Sequence, residues 1–172
     1  SHVRMMKTDY EDTGLAQLFG MPFVVLRKPV PFDTTTLNFN WQVWDTKAFS
    51  LYSRSTEKID KKGADMAIAA VCRFLSRMNV LNYNVYGGYE STVLIEEELV
   101  SLRSTASGLY IPHVKSFDSV ERGQVLADII DPLTGVTVAQ TEAPEDGIVF
   151  FAKDSPLVME NETLFKIVNK LH

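Results

Sequence analysis

The last third of the chain carries a duplicated pattern of short β segments. Gly108-Leu-Tyr-Ile matches Gly147-Ile-Val-Phe, and the residues from Val120 to Ile129 match those from Val158 to Ile167 after a one-residue slip. Neither copy is long enough to bury its own apolar face, so the two copies must close a common core. We therefore predict a small all-β barrel or sandwich with pseudo-twofold symmetry.

The first half of the chain follows a different pattern, in which strand segments alternate with helical ones. Residues 23–26 and 48–52 are typical of buried strands, whereas residues 9–19 and 60–78 carry apolar side chains at helical spacing. Gly20 is suited to end the first helix, and Asp60 to cap the second. This alternation requires crossover connections, which predicts a mostly parallel or mixed sheet covered by helices.

The boundary between the two patterns is predicted at residues 85–91, where Gly87 and Gly88 indicate a linker. Residues 1–84 are assigned to the C-terminal part of an α/β domain, and residues 92–172 to the β module. Only two or three strands are visible before residue 80, and the chain starts at Ser1 without an initiator Met. We therefore expect further sequence upstream.

The composition limits the classes of partner and compartment. The net charge of −5 and the scattered Lys and Arg residues provide no basic surface for nucleic acid. No stretch approaches the roughly 18 apolar residues of a membrane span. The single cysteine, Cys72, lies in an apolar stretch, which predicts a buried thiol and a reducing cytoplasm. Homo-oligomerisation is left open, since an incomplete sheet edge favours pairing with a partner.

The β module resembles the barrel-sandwich hybrid of biotinyl and lipoyl carriers, through SGLYIPHVKSFDSVERGQVLADI (residues 107–129) and APEDGIVFF (residues 143–151). In true carriers the turn between the two halves displays a modifiable lysine. The corresponding turn here, residues 131–142, contains no lysine. A swinging-arm carrier is therefore disfavoured.

Together with the upstream elements, the module closely resembles the C-terminal part of the succinylglutamate desuccinylase/aspartoacylase family. The resemblance is strongest over residues 103–167 and includes LAQLFGMPFVVL, residues 15–26. It implies a partial zinc-carboxypeptidase-like α/β/α domain followed by an all-β barrel-sandwich-hybrid domain. It also implies a hydrolase that cleaves the amide of an N-acyl amino acid, using a three-ligand zinc, its bound water and a glutamate.

The zinc ligands that this resemblance implies are not visible in the chain. Family members hold the metal with an H-x-x-E pair and a later histidine, but no H-x-x-E occurs here, and the only histidines are His2, His113 and His172. Zinc is therefore expected in the full-length protein, from ligands upstream of this chain. His2 is interpreted as a neighbour of the later histidine, and His113 and His172 as solvated.

The catalytic glutamate of the family stands in a strand-end phrase such as T-L-E-L-G, and the resemblance places Tyr52 at its position, in FSLYS. A phenol is a poor general base at neutral pH, but it donates a hydrogen bond to a developing oxyanion. Either Glu57 in the following loop takes over the proton transfer, or the chemistry is altered or lost. Glu57 also fits an exposed loop carboxylate. Arg54 is a candidate clamp for a substrate carboxylate, with a surface salt bridge as the alternative.

Two further groups of residues have no assigned function. Phe39, Trp41 and Trp44 either line a pocket or pack in the core, and the acidic run from Glu96 to Glu98 is interpreted as a solvated strand edge. Three functional hypotheses follow: a zinc-dependent deacylase, a non-catalytic relative with a binding or scaffold role, and a carrier or interaction module. The missing turn lysine counts against the third hypothesis. Tyr52 in place of the glutamate favours the second over the first, whereas the hydrolase chemistry of the resembled family keeps the first ahead.

Overall fold

The computed structural model describes residues 1–53, 59–82 and 87–169, which form two compact units that divide between Glu97 and Glu98. This division lies downstream of the linker at residues 85–91 that the sequence indicated. The difference arises because Thr92–Ile95 pairs in parallel with a strand of the first unit. A four-residue apolar segment does not reveal by its own pattern which of two sheets it joins.

The first unit is a mixed sheet with helices packed on it. Its elements are β1 His2–Met6, α1 Thr13–Gln17, β2 Phe23–Arg27, a 3-10 turn Pro31–Thr35, α2 Leu37–Val43, β3 Ser50–Tyr52, α3 Lys61–Arg77 and β4 Thr92–Ile95. The strand order is β3-β1-β2-β4, with β1, β2 and β4 parallel and β3 antiparallel at the edge. The predicted mixed sheet is confirmed. Strand β1 was not anticipated from the sequence.

Strand alternation gives this sheet two different faces. One face and the helices that cover it form a single buried apolar cluster: Val3, Met5, Ala16, Phe19, Met21, Val24, Leu26 and Ala70. His2 and Arg4 alternate with Val3 and Met5 along β1, so their side chains lie on the opposite face. That second face carries the polar side chains described below.

The helix caps follow the sequence signals. Asp12 caps α1 by accepting a hydrogen bond from the Leu15 amide, and Asp60 caps α3 by accepting one from the Gly63 amide. Gly20 has a φ of 61°, a left-handed conformation that glycine adopts without strain. The predicted roles of Asp60 and Gly20 are therefore confirmed.

Two arginines of α3 satisfy the carbonyl groups at the end of α1. Arg73 Nε donates to the Phe19 carbonyl at 3.0 Å, and Arg77 Nη1 donates to the Leu18 carbonyl at 2.8 Å. Burial, and then the charge of Arg77, lowers the pKa of the Arg73 guanidinium. The polar ends of these side chains thus hold α3 against α1.

The apolar stripe expected on α3 is only partly buried. Ala70 is fully buried, but Ile68, Val71 and Met78 are exposed, and Cys72 is half-buried rather than buried. The stripe spans more of the helix circumference than one contact face covers. None of the helices within the described ranges is both long and apolar enough to cross a membrane.

The second unit consists of two stacked antiparallel sheets. Its strands are β5 Val100–Arg103, β6 Gly108–Pro112, β7 Ser119–Val120, β8 Val125–Ile130, β9 Thr137–Glu142, β10 Gly147–Ala152, β11 Leu157–Val158 and β12 Thr163–Asn169. One sheet has the order β5-β12-β10-β7, and the other β11-β6-β8-β9. The most buried residues of their shared core are Val120, Leu126, Ala127, Ile129, Ala143, Val149, Val158, Leu164, Phe165 and Ile167.

The strand pairing confirms the duplication. In each four-strand copy, β5 to β8 and β9 to β12, the second strand pairs with the fourth. The third strand pairs with the second strand of the other copy, and the fourth with the first strand of the other copy. The copies are thereby interlocked, which explains why neither can bury its apolar face by itself.

Candidate functional site

Tyr52 ends the edge strand β3 and lies against side chains of β1. In the antiparallel register His2 is opposite Tyr52, and Arg4 is opposite Ser50, so these four side chains share one face of the sheet. The rings of His2 and Tyr52 stack, with centroids 5.0 Å apart and planes 2° from parallel. The Tyr52 side chain remains 40% exposed, which leaves it open to a ligand.

Arg4 connects Tyr52 to Glu96, which follows β4. Its Nη1 donates to the phenol oxygen at 3.3 Å, its Cζ lies 5.1 Å from the Tyr52 ring centroid, and its Nη2 forms an ion pair with Glu96. Burial works to lower the pKa of Arg4, but the hydrogen bonds to Glu96 and Tyr52 outweigh it and raise the pKa. Arg4 is therefore a permanent cation held in a fixed orientation.

A second ion pair closes the other side of this face. Arg27 Nη2 at the end of β2 lies 3.3 Å from Oδ2 of Asp33 in the 3-10 turn, and the Asp33 side chain is almost fully buried. The same carboxylate accepts a hydrogen bond from the Val30 amide at 2.8 Å. Asp33 thus fixes the turn above the sheet while neutralising Arg27.

Asn38 of α2 reaches the same region. Its Nδ2 donates to Ser50 Oγ at 2.8 Å. Its Oδ1 is buried and, within the described parts of the chain, has no hydrogen-bond partner, and the same holds for Arg4 Nε. Buried polar atoms without partners carry a desolvation cost of about 1–3 kcal/mol, so this region has unused hydrogen-bonding capacity.

These groups enclose a cleft of about 260 Å³. Its walls are formed by Arg4, Met5, Met6, Arg27, Phe32, Asp33, Thr36, Asn38, Ser50 and Tyr52. The polar members supply guanidinium, phenol, amide and hydroxyl groups, and the methionines and Phe32 supply an apolar wall. A cleft smaller than the roughly 300–1,000 Å³ of drug-sized sites fits a small metabolite or one arm of a larger one.

The chemistry available in the cleft is that of anion and oxyanion recognition. The guanidinium of Arg4 and the phenol of Tyr52 are donors to a carboxylate or to a developing negative charge. The two neighbouring carboxylates, Glu96 and Asp33, are already ion-paired with Arg4 and Arg27. Neither is therefore free to serve as a general base in this arrangement.

The described side chains do not fit a zinc ion. Across residues 1–53, 59–82 and 87–169, no three His, Cys, Asp or Glu side chains lie close enough together to hold a metal. His2 stacks on Tyr52, and His113 Nε2 lies 2.8 Å from Asp128 Oδ2 in the second unit.

Of the catalytic and substrate-binding residues predicted from the sequence, one lies in the cleft and two lie outside the described residues. Tyr52 lies in the cleft, whereas Arg54 and Glu57 fall in residues 54–58, outside the described part of the chain. The acidic run is not a strand edge: Glu96–Glu98 forms a 3-10 turn, and Glu96 pairs with Arg4. The sequence interpretation was wrong because the partner of Glu96, Arg4, is 92 residues away in sequence, and local charge patterning does not reveal such a contact.

Arg4 and Asn38 are two of the cleft residues that sequence reasoning missed. The only local signal for Arg4 is the polar and apolar alternation of His2, Val3, Arg4 and Met5, which is the period of a half-buried strand. Asn38 gives no such signal. The expectation that Trp41 and Trp44 pack in a core or line a pocket is not met, because both are exposed, at 51% and 82%, and neither lines the cleft.

Comparison with solved structures identifies the fold. The chain superposes on the product-bound ectoine utilization protein EutE (DoeB) from Ruegeria pomeroyi with a TM-score of 0.78 and 12% identity, over 96% of this chain and 52% of that one. A succinylglutamate desuccinylase/aspartoacylase from Rhodobacter sphaeroides gives a TM-score of 0.76 and 14% identity, over 99% of this chain and 54% of that one. A succinylglutamate desuccinylase from a Silicibacter species gives a TM-score of 0.75 and 13% identity, over 96% of this chain and 52% of that one.

The chain spans about half the length of these solved structures and has the fold of their C-terminal portion. At these identities the likeness establishes the shared architecture, an α/β unit followed by an all-β barrel-sandwich module. No protein-family model matches the chain, and no curated protein matches it.

Proposed function

We propose that this protein is a deacylase-like hydrolase that cleaves the amide of an N-acyl amino acid, with a catalytic zinc held by ligands outside these 172 residues. The observation that carries the proposal is the cleft in which the phenol of Tyr52 and the guanidinium of Arg4 meet at the end of β3. The shared fold with desuccinylase structures supports it. The single cysteine is compatible with a reducing cytoplasm.

Six residues of the cleft have a defined part in this proposal. Arg4, oriented by Glu96, binds a carboxylate or oxyanion, and Tyr52 donates its hydroxyl proton in a hydrogen bond to the same charge. Asn38 supplies the unused acceptor Oδ1 for a donor on the substrate. Met5, Met6 and Phe32 exclude water from the acyl group. A zinc ion held by residues outside this chain would supply an activated water.

A second function is favoured by one specific observation. Among the described residues, the two carboxylates beside the cleft, Glu96 and Asp33, are ion-paired. The sequence resemblance puts Tyr52 at the position of the family's glutamate. A protein with this cleft and without a general base binds the same ligands and does not turn them over. The alternative is therefore a non-catalytic relative with a binding or scaffold role.

Hydrolysis of a panel of N-acyl amino acids by the full-length protein, measured together with its bound zinc, separates the two functions. We expect stoichiometric zinc and turnover, and we expect Tyr52→Phe to lower kcat about 100-fold through loss of an oxyanion donor while the zinc content stays the same. Tyr10→Phe, at an exposed tyrosine outside the cleft, is the matched control. Ligand binding with zinc present and without turnover supports the non-catalytic alternative.

A further inference from the structure

The hydroxyl oxygen of Tyr52 is the hydrogen-bond acceptor in its contact with Arg4. A guanidinium group has five N–H donors and no acceptor, so the phenol oxygen accepts in the 3.3 Å contact with Arg4 Nη1. The phenol keeps its own proton in this arrangement. Among the described residues no acceptor takes that proton, and it is therefore available to a ligand in the cleft.

Two residues of β1 hold the Tyr52 ring in place. The imidazole of His2 stacks on the ring, with centroids 5.0 Å apart, and Arg4 Cζ lies 5.1 Å from the ring centroid. Glu96 holds Arg4 in turn through an ion pair. Proton transfer in an active site requires a donor of fixed position and orientation. These contacts give the Tyr52 hydroxyl group both.

Tyr52 is the strongest acid with a proton to give among the described residues of the cleft wall. Asp33 carries a negative charge in its ion pair with Arg27, so it has no proton to donate. The hydroxyl groups of Thr36 and Ser50 are aliphatic alcohols, which are much weaker acids than a phenol, and Thr36 already donates to the Asp33 carbonyl at 2.7 Å. Phenols are protonated at neutral pH and, as acids, are close in strength to alkylammonium ions. A phenol is therefore suited to protonate a leaving amine.

We propose that Tyr52 is the general acid of the hydrolysis and gives its proton to the leaving amine. This inference rests on the proposed function and adds a proton transfer to the hydrogen bond assigned to Tyr52 there. Addition of water to the amide carbon gives a tetrahedral intermediate with an oxyanion. The oxyanion and the leaving nitrogen are bonded to the same carbon atom, so a hydroxyl group that reaches the first also reaches the second.

The proton transfer accompanies cleavage of the amide. The carbon–nitrogen bond breaks, its electron pair stays on the nitrogen, and the nitrogen forms a new N–H bond with the Tyr52 proton. The products of this step are the amine, a carboxylic acid and the Tyr52 phenolate. The phenolate then takes the proton of the carboxylic acid, which restores the Tyr52 hydroxyl group and leaves a carboxylate product.

Arg4 stabilises the phenolate that this step forms. Its guanidinium group already donates to the phenol oxygen, so the negative charge develops on an atom that faces a cation. A hydrogen bond from a cation becomes stronger when its acceptor becomes an anion. Because Glu96 already fixes Arg4, no side chain has to move during the transfer. Arg4 and Tyr52 therefore act together as a proton donor and its counter-ion.

The choice of leaving group separates proton transfer from oxyanion binding. An amide nitrogen needs a proton to leave, whereas para-nitrophenolate leaves without one, and both substrates pass through an oxyanion. In the full-length protein, Tyr52→Phe should lower kcat/KM for an N-acyl amino acid at least about 100-fold more than kcat/KM for the para-nitrophenyl ester of the same acyl group. Arg4→Gln should show the same selectivity for the amide. Tyr10→Phe, outside the cleft, should change neither rate.

The outcomes distinguish this inference from the proposed function. Equal slowing of the amide and the ester by Tyr52→Phe would overturn the inference and leave the proposed function intact, because an oxyanion donor serves both substrates. Loss of amide hydrolysis alone in Glu57→Gln, with equal slowing in Tyr52→Phe, would assign the proton transfer to Glu57. Hydrolysis of neither substrate by the wild-type protein contradicts the proposed function and the inference with it. Circular dichroism confirms that the variants are folded.

Discussion

Tyr110 carries a buried hydroxyl group in the core of the second unit. The residue is 4% exposed, and its ring lies 5.9 Å from that of Phe165. Its oxygen has no hydrogen-bond partner among the residues that the structure describes. Burial, with a smaller contribution from Asp154, raises the pKa of the Tyr110 phenol above its ordinary value of 10.0.

Removing this hydroxyl should stabilise the protein. A buried polar group without a partner costs about 1–3 kcal/mol, whereas phenylalanine keeps the same ring packing. We expect Tyr110→Phe to raise the free energy of unfolding by about 1 kcal/mol, measured by urea titration, and Tyr10→Phe at an exposed site to leave it unchanged. A loss of stability in Tyr110→Phe would show that the hydroxyl is hydrogen-bonded.

The same residue predicts the direction of an alkaline effect. The unfolded chain releases the Tyr110 proton near pH 10, whereas the folded chain retains it to higher pH. The titration of Tyr110 leaves the free energy of unfolding unchanged below about pH 10 and lowers it as the pH rises through the raised pKa, because the unfolded state then binds fewer protons than the folded state. This part of the pH dependence should be absent in Tyr110→Phe.

At the scale of elements, the two repeats of the β module place a glycine at the same structural position. A Cβ atom on Gly108 would lie 2.5 Å from the Ile130 carbonyl oxygen, and one on Gly147 would lie 2.6 Å from that of Val168. Both glycines begin the second strand of a copy, where the fourth strand approaches closely. Neither residue has a positive φ. Glycine is therefore required here by the close contact and not by the backbone conformation.

Gly147→Ala should therefore destabilise the β module. The new methyl group would lie 2.4 Å from the Ile167 side chain and 2.6 Å from the Val168 carbonyl oxygen. A side-chain rotation cannot relieve the backbone contact, and overpacking of this kind costs about 1–3 kcal/mol. We expect a corresponding fall in the free energy of unfolding in guanidinium chloride. Gly14→Ala, in α1 with its nearest atom at 3.5 Å, should be neutral or stabilising. Equal effects of the two substitutions would contradict the close approach.

Sequence patterns predicted some of the elements and not the orientation of others. Apolar runs and caps predicted β2, β3 and α3 within a few residues, since these signals are local. The outward face of α2 was not predictable, because Gln42 is buried by partners at Met6 and Thr8. For the same reason the cleft was predicted only at Tyr52: Arg4 becomes a site residue through its contacts with Tyr52 and Glu96.

At the scale of the whole molecule, each unit has a core of its own. The first buried cluster draws its residues from positions 3–70, and the second from positions 110–167. The chain contacts divide the molecule between Glu97 and Glu98. We propose that this division, rather than residues 85–91, is the boundary of an independently folding module.

A fragment of residues 98–172 should fold without the rest of the chain. We expect dispersed amide resonances and cooperative urea unfolding, because all eight strands of both β sheets lie within it. A fragment that starts at Thr92 should have the same free energy of unfolding, since β4 pairs with β2 of the first unit. A collapsed or unfolded 98–172 fragment would place the boundary elsewhere.

The sequence by itself determined the local and repeated features of this protein: the strand and helix segments, the caps at Asp60 and Gly20, and the duplicated β unit. Each depends on backbone geometry and on the spacing of apolar residues within one segment. Only the tertiary structure decided that β4 joins the first sheet, that Arg4 links Tyr52 to Glu96, and that α2 turns its tryptophans outward. These features depend on contacts between residues far apart in the chain. The sequence around each residue does not indicate which distant residue it contacts.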